Sequence, residues 1–263
     1  MNNSSTPCMG YPLFNGSLMD LSFQDKTIVN TINQYSFCIA EEDDEFKEAL
    51  MGSDMLLPDG VGMVFASFFL ENVKIQKIAG ADLHQHLLTK LNEECGSCFY
   101  LGSSEATLKK IEDRIQKEYP NISVHTYAPP YKAVFDEQDS EKMIAAVNQH
   151  APDVLFIGMT APKQEKWIHT NKQLLNTKVI GSIGAVFDFY AGTVKRPARM
   201  WISLGLEWFG RLILEPRRMW RRYLYYGPVF TLHLLGKKIK LANRYKRIFS
   251  SGTNVSKHPL SKH

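Results

Sequence analysis

Short apolar runs ending in Gly, Pro or Ser alternate along most of the chain with longer stretches whose apolar residues recur at helical spacing. The runs at 54–57, 98–101, 122–125, 153–157 and 178–181 predict strands. The stretches at 61–70, 82–94, 104–119, 139–150 and 162–174 predict helices. In the second of these, Leu83, Leu87, Leu88 and Leu91 form a stripe on one face. In the third, Leu108, Ile111 and Ile115 do the same behind Ser104, which is placed to cap the helix. Strands alternating with helices at this spacing predict an α/β fold, a Rossmann-like, doubly wound parallel sheet with helices on both faces.

The pattern changes after Gly192. Trp201, Trp208, Phe209, Trp220 and several tyrosines sit among arginines and lysines, and Pro216 and Pro228 predict a division into three short helices. The longest apolar stretch, 223–235, is thirteen residues and contains Gly227 and Pro228. A spanning helix needs roughly twenty apolar residues, so this region predicts an interfacial segment lying on a membrane.

Composition adds the domain plan. At 263 residues, 44% hydrophobic and 22% charged, the chain suits one large core with an appendage. We expect a flexible N-terminus at 1–10, an α/β domain at 11–194, a basic helical appendage at 195–249 and a flexible tail at 250–263. The start of the sequence lacks a basic region followed by an apolar stretch, which predicts a cytoplasmic protein or one on the inner face of the membrane. Cys8, Cys38, Cys95 and Cys98 give no disulfide framework. The Cys95-x-x-Cys98 pair lacks the second pair or histidines that a structural zinc requires.

Charge is divided unevenly. Residues 195–249 carry fourteen Lys or Arg against Glu207 and Glu215, a net of +12; with +2 in the last fourteen residues, the overall +4 leaves residues 1–194 at −10. A basic quarter on an acidic body seeks phosphate, whether in nucleic acid, anionic lipid or a diphosphate substrate. The acidic body and the apolar stretch at 229–235 argue against nucleic acid as the partner. A dehydrogenase would need a Gly-x-Gly-x-x-Gly opening a helix, and none occurs.

A parallel sheet binds ligands outside the carboxyl ends of its strands. The loops to examine are therefore Pro58-Asp59-Gly60-Val61-Gly62, Gly102-Ser103-Ser104, Ala128-Pro129-Pro130-Tyr131, the run from Gly158 to Glu165, and the run from Gly181 to Asp188. Together with Thr31-x-Asn33, Ile78-Ala79-Gly80-Ala81-Asp82-Leu83, Phe187-Asp188-Phe189-Tyr190-Ala191-Gly192 and Gly205-Leu206-Glu207-Trp208, then Arg211 and Glu215-Pro216-Arg217-Arg218, they resemble the WecG/TagA/CpsF family of bacterial glycosyltransferases over about residues 27–225. The resemblance implies inverting transfer from a UDP-sugar to an undecaprenyl-diphosphate-linked sugar, in the synthesis of cell-wall or extracellular polysaccharide. The donor sugar would be of the N-acetylmannosamine, N-acetylmannosaminuronic acid or glucose type. It further implies no metal and no cofactor, with a basic appendage that docks on the membrane and completes the active site. Where several members carry an Asp-Gly-Tyr-Phe run, this chain has Tyr127-Ala128-Pro129-Pro130-Tyr131-Lys132, in a loop expected to border the donor.

Inverting transfer needs a base for the acceptor hydroxyl, and a carboxylate in reach suffices. From the residues alone, Asp59 serves equally as that base or as a cap of the following helix; the resemblance favours the base. Gly60 and Gly62 permit close approach of backbone to a ligand, and turn geometry explains them as well. Gly102 belongs to a strand-end loop of the same kind. By resemblance Thr31 and Asn33 contact the donor sugar, and Asp188 sits by the uracil. The run Pro162-Lys163-Gln164-Glu165 starts a helix, whose free N–H groups suit an anion. Lys163 and Gln164 add donors there, while Glu165 fits either a first-turn acid or a ligand contact.

No Asp-x-Asp is present to hold a divalent metal, and the acidic run 41–45 reads as a solvated helix face. Arginines at a dry site can stabilise a leaving diphosphate instead, and Arg211, Arg218 and Arg221 are the candidates, with adhesion to anionic lipid as their competing role. The mixed apolar and charged faces of the appendage also suit burial against another copy, as a homo-oligomer.

Overall fold

The computed structural model describes residues 5–21, 25–194 and 207–251. Among them are eight strands: β1 (Ser5–Cys8), β2 (Tyr11–Phe14), β3 (Thr27–Ile32), β4 (Met55–Pro58), β5 (Ser97–Gly102), β6 (Ser123–Tyr127), β7 (Val154–Gly158) and β8 (Val179–Ser182). They form one sheet in the order β1-β2-β4-β3-β8-β7-β5-β6. All pairings are parallel except the β1–β2 hairpin at one edge. The doubly wound parallel sheet expected from the alternation is what forms. The five predicted strands are present, their ends within two residues of those expected, and β1, β2 and β3 are additional.

The helices are α1 (Gln34–Ala40), α2 (Asp44–Met51), α3 (Val61–Glu71), α4 (Gly80–Glu94), α5 (Glu105–Glu118), α6 (Glu137–His150), α7 (Lys163–Asn171), α8 (Val186–Tyr190), α9 (Glu207–Leu214), α10 (Pro216–Trp220) and α11 (Tyr226–Ser251). A π-helical turn, Arg221–Tyr225, joins the last two. The leucine stripe of α4 and the isoleucines of α5 bury on one face of the sheet with Val29, Tyr100 and Phe156. Alternate strand residues, among them Leu155, Ile157 and Ile180, face α6 and α7 on the other. The period of two along each strand is what lets one strand serve both layers.

Three expectations are corrected. Residues 1–10 are not loose from Ser5 onward, because β1 pairs with β2 and buries Cys8 and Met9. The acidic run is not merely a solvated face: Asp43 caps α2 at the Phe46 N–H (3.0 Å) and pairs with Lys166 (2.7 Å). No helix break falls at Pro228, which stands in the first turn of α11 just after the π-helical turn, where the regular backbone ladder is already interrupted.

Tyr226, Phe230 and Leu234 of α11 join the buried cluster that holds Phe37, Tyr11 and Met63. Phe230 meets Phe37 edge to face at 5.5 Å, and Tyr226 meets Tyr35 at 5.1 Å. Lys237 donates to the Met9 carbonyl. The C-terminal helix therefore shares a core with the sheet. Among the described residues no helix is long and apolar enough to cross a membrane. The tail beyond Ser251 and the stretch 195–206 lie outside the described residues.

Candidate active site

The chain runs from β3 to its neighbour β4, then crosses to β5 on the far side of the sheet. A crevice opens at the carboxyl ends of strands where the winding reverses in this way. Here it is a cleft of about 1130 Å³, lined from the ends of β3, β4, β5, β6, β7 and β8. Thr31, Asn33, Asp59, Lys163, Gln164, Glu165 and Asp188 all line it, so residues far apart in sequence share one wall.

Asp59 follows Pro58 at the end of β4 and is half-buried. Its N–H donates to the Ile32 carbonyl (2.9 Å), which ties the loop to β3. The N-cap position of α3 belongs to Gly60, at φ +108°, rather than to Asp59. Asn33 is the N-cap of α1: its Oδ1 accepts from the Tyr35 and Ser36 N–H groups at 3.0 Å, and Ser36 Oγ accepts from the Asn33 N–H at 2.8 Å. What Asn33 can offer a ligand is therefore its Nδ2 amide. Thr31, next to the end of β3, stands beside it.

Helix α7 brings three neighbours with different environments. The Lys163 ammonium donates to the Lys132 carbonyl (2.6 Å) and lies 3.9 Å from the Phe135 ring centre; burial lowers its pKa. Gln164 is buried, accepting from the Met159 N–H (3.1 Å) and donating to Glu165 Oε1 (2.8 Å). Glu165 is 2% exposed, and its Oε2 has no hydrogen-bond partner. Burial pushes its pKa up to about 7 despite the Gln164 bond. This is a buried acid rather than a solvated first-turn carboxylate. Asp188 is half-buried in the first turn of α8, and its carbonyl accepts from Thr193 Oγ1 (3.0 Å).

Gly60, Gly62, Gly102 and Arg221 do not line the cleft. A Cβ on Gly62 would lie 2.8 Å from Gln34 Oε1, and one on Gly102 (φ +126°) would lie 2.5 Å from the Gly158 carbonyl oxygen. Their geometry is that of close packing and positive φ. Arg221 is exposed, with its guanidinium 6.0 Å from the Tyr226 ring centre. Arg222 lines the cleft in its place, 4.7 Å over the ring of Tyr35. Arg211 and Arg218 lie on α9 and α10, and their side chains fall outside the described part.

Arg222 and Phe135, which no motif singled out, line the cleft, as does the Ala79-Gly80-Ala81 run of the resemblance, to which no site role was given. The adjacent Arg221-Arg222 pair was the available signal for the first. Among the described residues no three His, Cys, Asp or Glu side chains gather as a metal-binding group. Cys95 is exposed, whereas Cys98 is buried in β5 and its thiol is pushed up by that burial.

Comparison with known proteins follows the same lines. The profile of the Glycosyl transferase WecG/TagA/CpsF family matches residues 15–244. A Bacillus subtilis (strain 168) protein is 36% identical over 197 residues, 75% of each chain, and is named N-acetylglucosaminyldiphosphoundecaprenol N-acetyl-beta-D-mannosaminyltransferase. Proteins of the same name from Bacillus spizizenii (32% over 185 residues, 70% of each chain) and Staphylococcus aureus strain MRSA252 (27% over 197 residues, 74% of each chain) are also similar.

Proposed function

We propose, from the premise that this chain belongs to the WecG/TagA/CpsF family of glycosyl transferases, that it moves a sugar from a UDP-sugar donor onto an undecaprenyl-diphosphate-linked acceptor. N-acetylmannosamine is the donor sugar favoured by the relatives' names, with N-acetylglucosaminyl-diphosphoundecaprenol as acceptor. The observation that carries the reading is the meeting of Asp59, Thr31, Asn33, Gln164, Asp188 and Arg222 around one cleft.

The chemistry is a single displacement. The Asp59 carboxylate takes the proton of the acceptor hydroxyl as its oxygen bonds to the anomeric carbon. The bond from that carbon to the diphosphate breaks, UDP leaves with the electron pair, and the configuration inverts. Thr31 and the Asn33 amide hold the sugar, and Asp188 accepts the ring N–H of uracil. Negative charge grows on the diphosphate, so a guanidinium fixed in the cleft stabilises the transition state more than the ground state. Arg222, braced on Tyr35, is placed for this, with Arg211 and Arg218 as further candidates. Arg222→Ala is expected to lower kcat/KM by roughly 10- to 100-fold, with a smaller loss in Arg222→Lys. A steady-state comparison that finds Arg222→Ala at full activity removes Arg222 from the site.

Activity should be unchanged within about twofold by EDTA, since protein cations serve where a metal otherwise would. Abolition by EDTA with recovery on adding Mg²⁺ would refute the metal-free account. The defining experiment incubates the protein with a panel of UDP-sugars and a lipid diphosphate-sugar acceptor. Transfer from UDP-N-acetylmannosamine establishes the reaction, and no transfer from any donor by folded protein removes it. The acceptor further implies work at the inner face of the cell membrane, as a peripheral protein.

A further inference from the structure

Helix α3 starts two residues after Asp59, and its outer face is apolar. Val61, Phe65 and Phe68, spaced four and three residues apart, are 48%, 56% and 47% exposed. The opposite face, Met63, Ala66 and Leu70, is buried in the same cluster as Tyr226, Phe230 and Leu234 of α11. Both helices thus lie in one layer and turn their outer faces from one core. The outer face of α11 is also apolar, with Leu232, Leu235 and Ile239 exposed. Lys238 joins the two helices by donating to the Phe69 carbonyl (2.6 Å), its ammonium 5.0 Å from the Phe69 ring centre.

Large exposed apolar side chains on adjoining helices mark a surface that is covered in use. Charge decides what covers it. From Pro216 to Ser251 there is no acidic residue, and Lys238 and Lys240, both exposed, flank the apolar face of α11. Apolar residues with flanking cations fit the interface of an anionic bilayer, where aliphatic and aromatic groups enter the acyl boundary and ammonium groups stay at the phosphates.

We propose that α3 is a bilayer-inserting element in its own right, placing Val61, Phe65 and Phe68 in the membrane interface beside α11. Because α3 continues directly from Asp59-Gly60, its insertion sets the height of the catalytic loop above the lipid. At about 1.5 Å per residue the helix is some 16 Å long, so the loop stays within reach of a lipid-linked diphosphate standing at the surface. The reason for this placement rests on the acceptor proposed above; the insertion itself does not.

The test uses the full-length protein, vesicles of phosphatidylglycerol and phosphatidylcholine, and the double variant Phe65→Ser/Phe68→Ser, with Phe65→Leu/Phe68→Leu as the conservative control. Circular dichroism and Tm should match wild type, since both side chains are exposed. Sedimentation with vesicles at physiological salt should show the serine variant binding about tenfold or more weakly, and the leucine variant binding like wild type. Transfer to an acceptor embedded in those vesicles should fall in step, while transfer to a short-chain, water-soluble acceptor stays within about twofold. Vesicle binding by the serine variant within twofold of wild type overturns the proposal, as does an equal loss with the soluble acceptor. A change in oligomer size with unaltered vesicle binding would assign the face to a second copy and overturn it as well. Wild-type protein that binds vesicles through Phe65 and Phe68 but transfers no sugar would leave this inference standing and remove the proposed reaction.

Discussion

Asp59→Asn is expected to slow sugar transfer by about 10²-fold or more while leaving the fold and UDP binding intact. Asparagine keeps the size of the side chain but cannot take a proton from the acceptor. The backbone features that place the loop are kept in the variant. Pro58 ends β4, the Asp59 N–H bonds to Ile32, and Gly60 supplies the positive φ that begins α3. Initial rates under saturating donor, with calorimetric titration of UDP, separate the two contributions. Lost turnover with unchanged UDP affinity gives Asp59 the role of base. Near-normal turnover removes it from the mechanism, and lost UDP binding makes it a donor contact instead. Asp59→Ala should be no more active than Asp59→Asn, as both lack the base.

The parallel sheet was legible because β4, β5, β7 and β8 are short apolar runs, nearly continuous as strands buried on both faces must be. Strand β3 was missed although it lies in the middle of the sheet. Its sequence Thr-Ile-Val-Asn-Thr-Ile is broken by two polar residues, which only the fold accounts for: buried Asn30 donates to Ser53 Oγ (2.9 Å), and Thr31 faces the cleft. The β1–β2 hairpin was illegible for another reason. Each strand has four residues and a proline, so its pairing depends on the sheet edge it joins.

Much of the cleft lining lies in the quoted motifs, whereas Arg222 was not among the arginines named. A reading at helical period puts Arg218 and Arg221 on one side. The Arg221–Tyr225 segment coils as a π-helix, and within it Arg222 lines the cleft while Arg221 does not. No periodicity in the sequence announces such a turn. Without the resemblance Asn33 reads only as a polar residue at a strand end, whereas in the fold it forms a capping box with Ser36.

Glu165→Gln is expected to stabilise the protein at pH 8 by about 3 kcal/mol and to leave it nearly unchanged near pH 4. The sign follows from burial. The carboxyl titrates at about 7 in the folded chain against an ordinary value of 4.5, so the native state holds the proton more tightly than the unfolded state. Its contribution is complete below about 4.5 and is lost as pH rises through 7, where the folded chain must carry a buried carboxylate with an unpartnered Oε2. Glutamine still accepts from Gln164 and never ionises. Thermal melts of both proteins between pH 4 and 8.5 should diverge above pH 5 and reach a difference on the order of 10 °C. A constant offset across the range would mean that the carboxylate is compensated in the fold, contrary to this account. A group that costs stability at the wall of a cleft is retained where function needs it. Activity of the same variant then decides its use. A more stable protein that transfers poorly assigns the ionisable carboxyl of Glu165 to the reaction, since the Gln164 bond is kept, whereas a more stable protein with full activity makes it a liability of the fold.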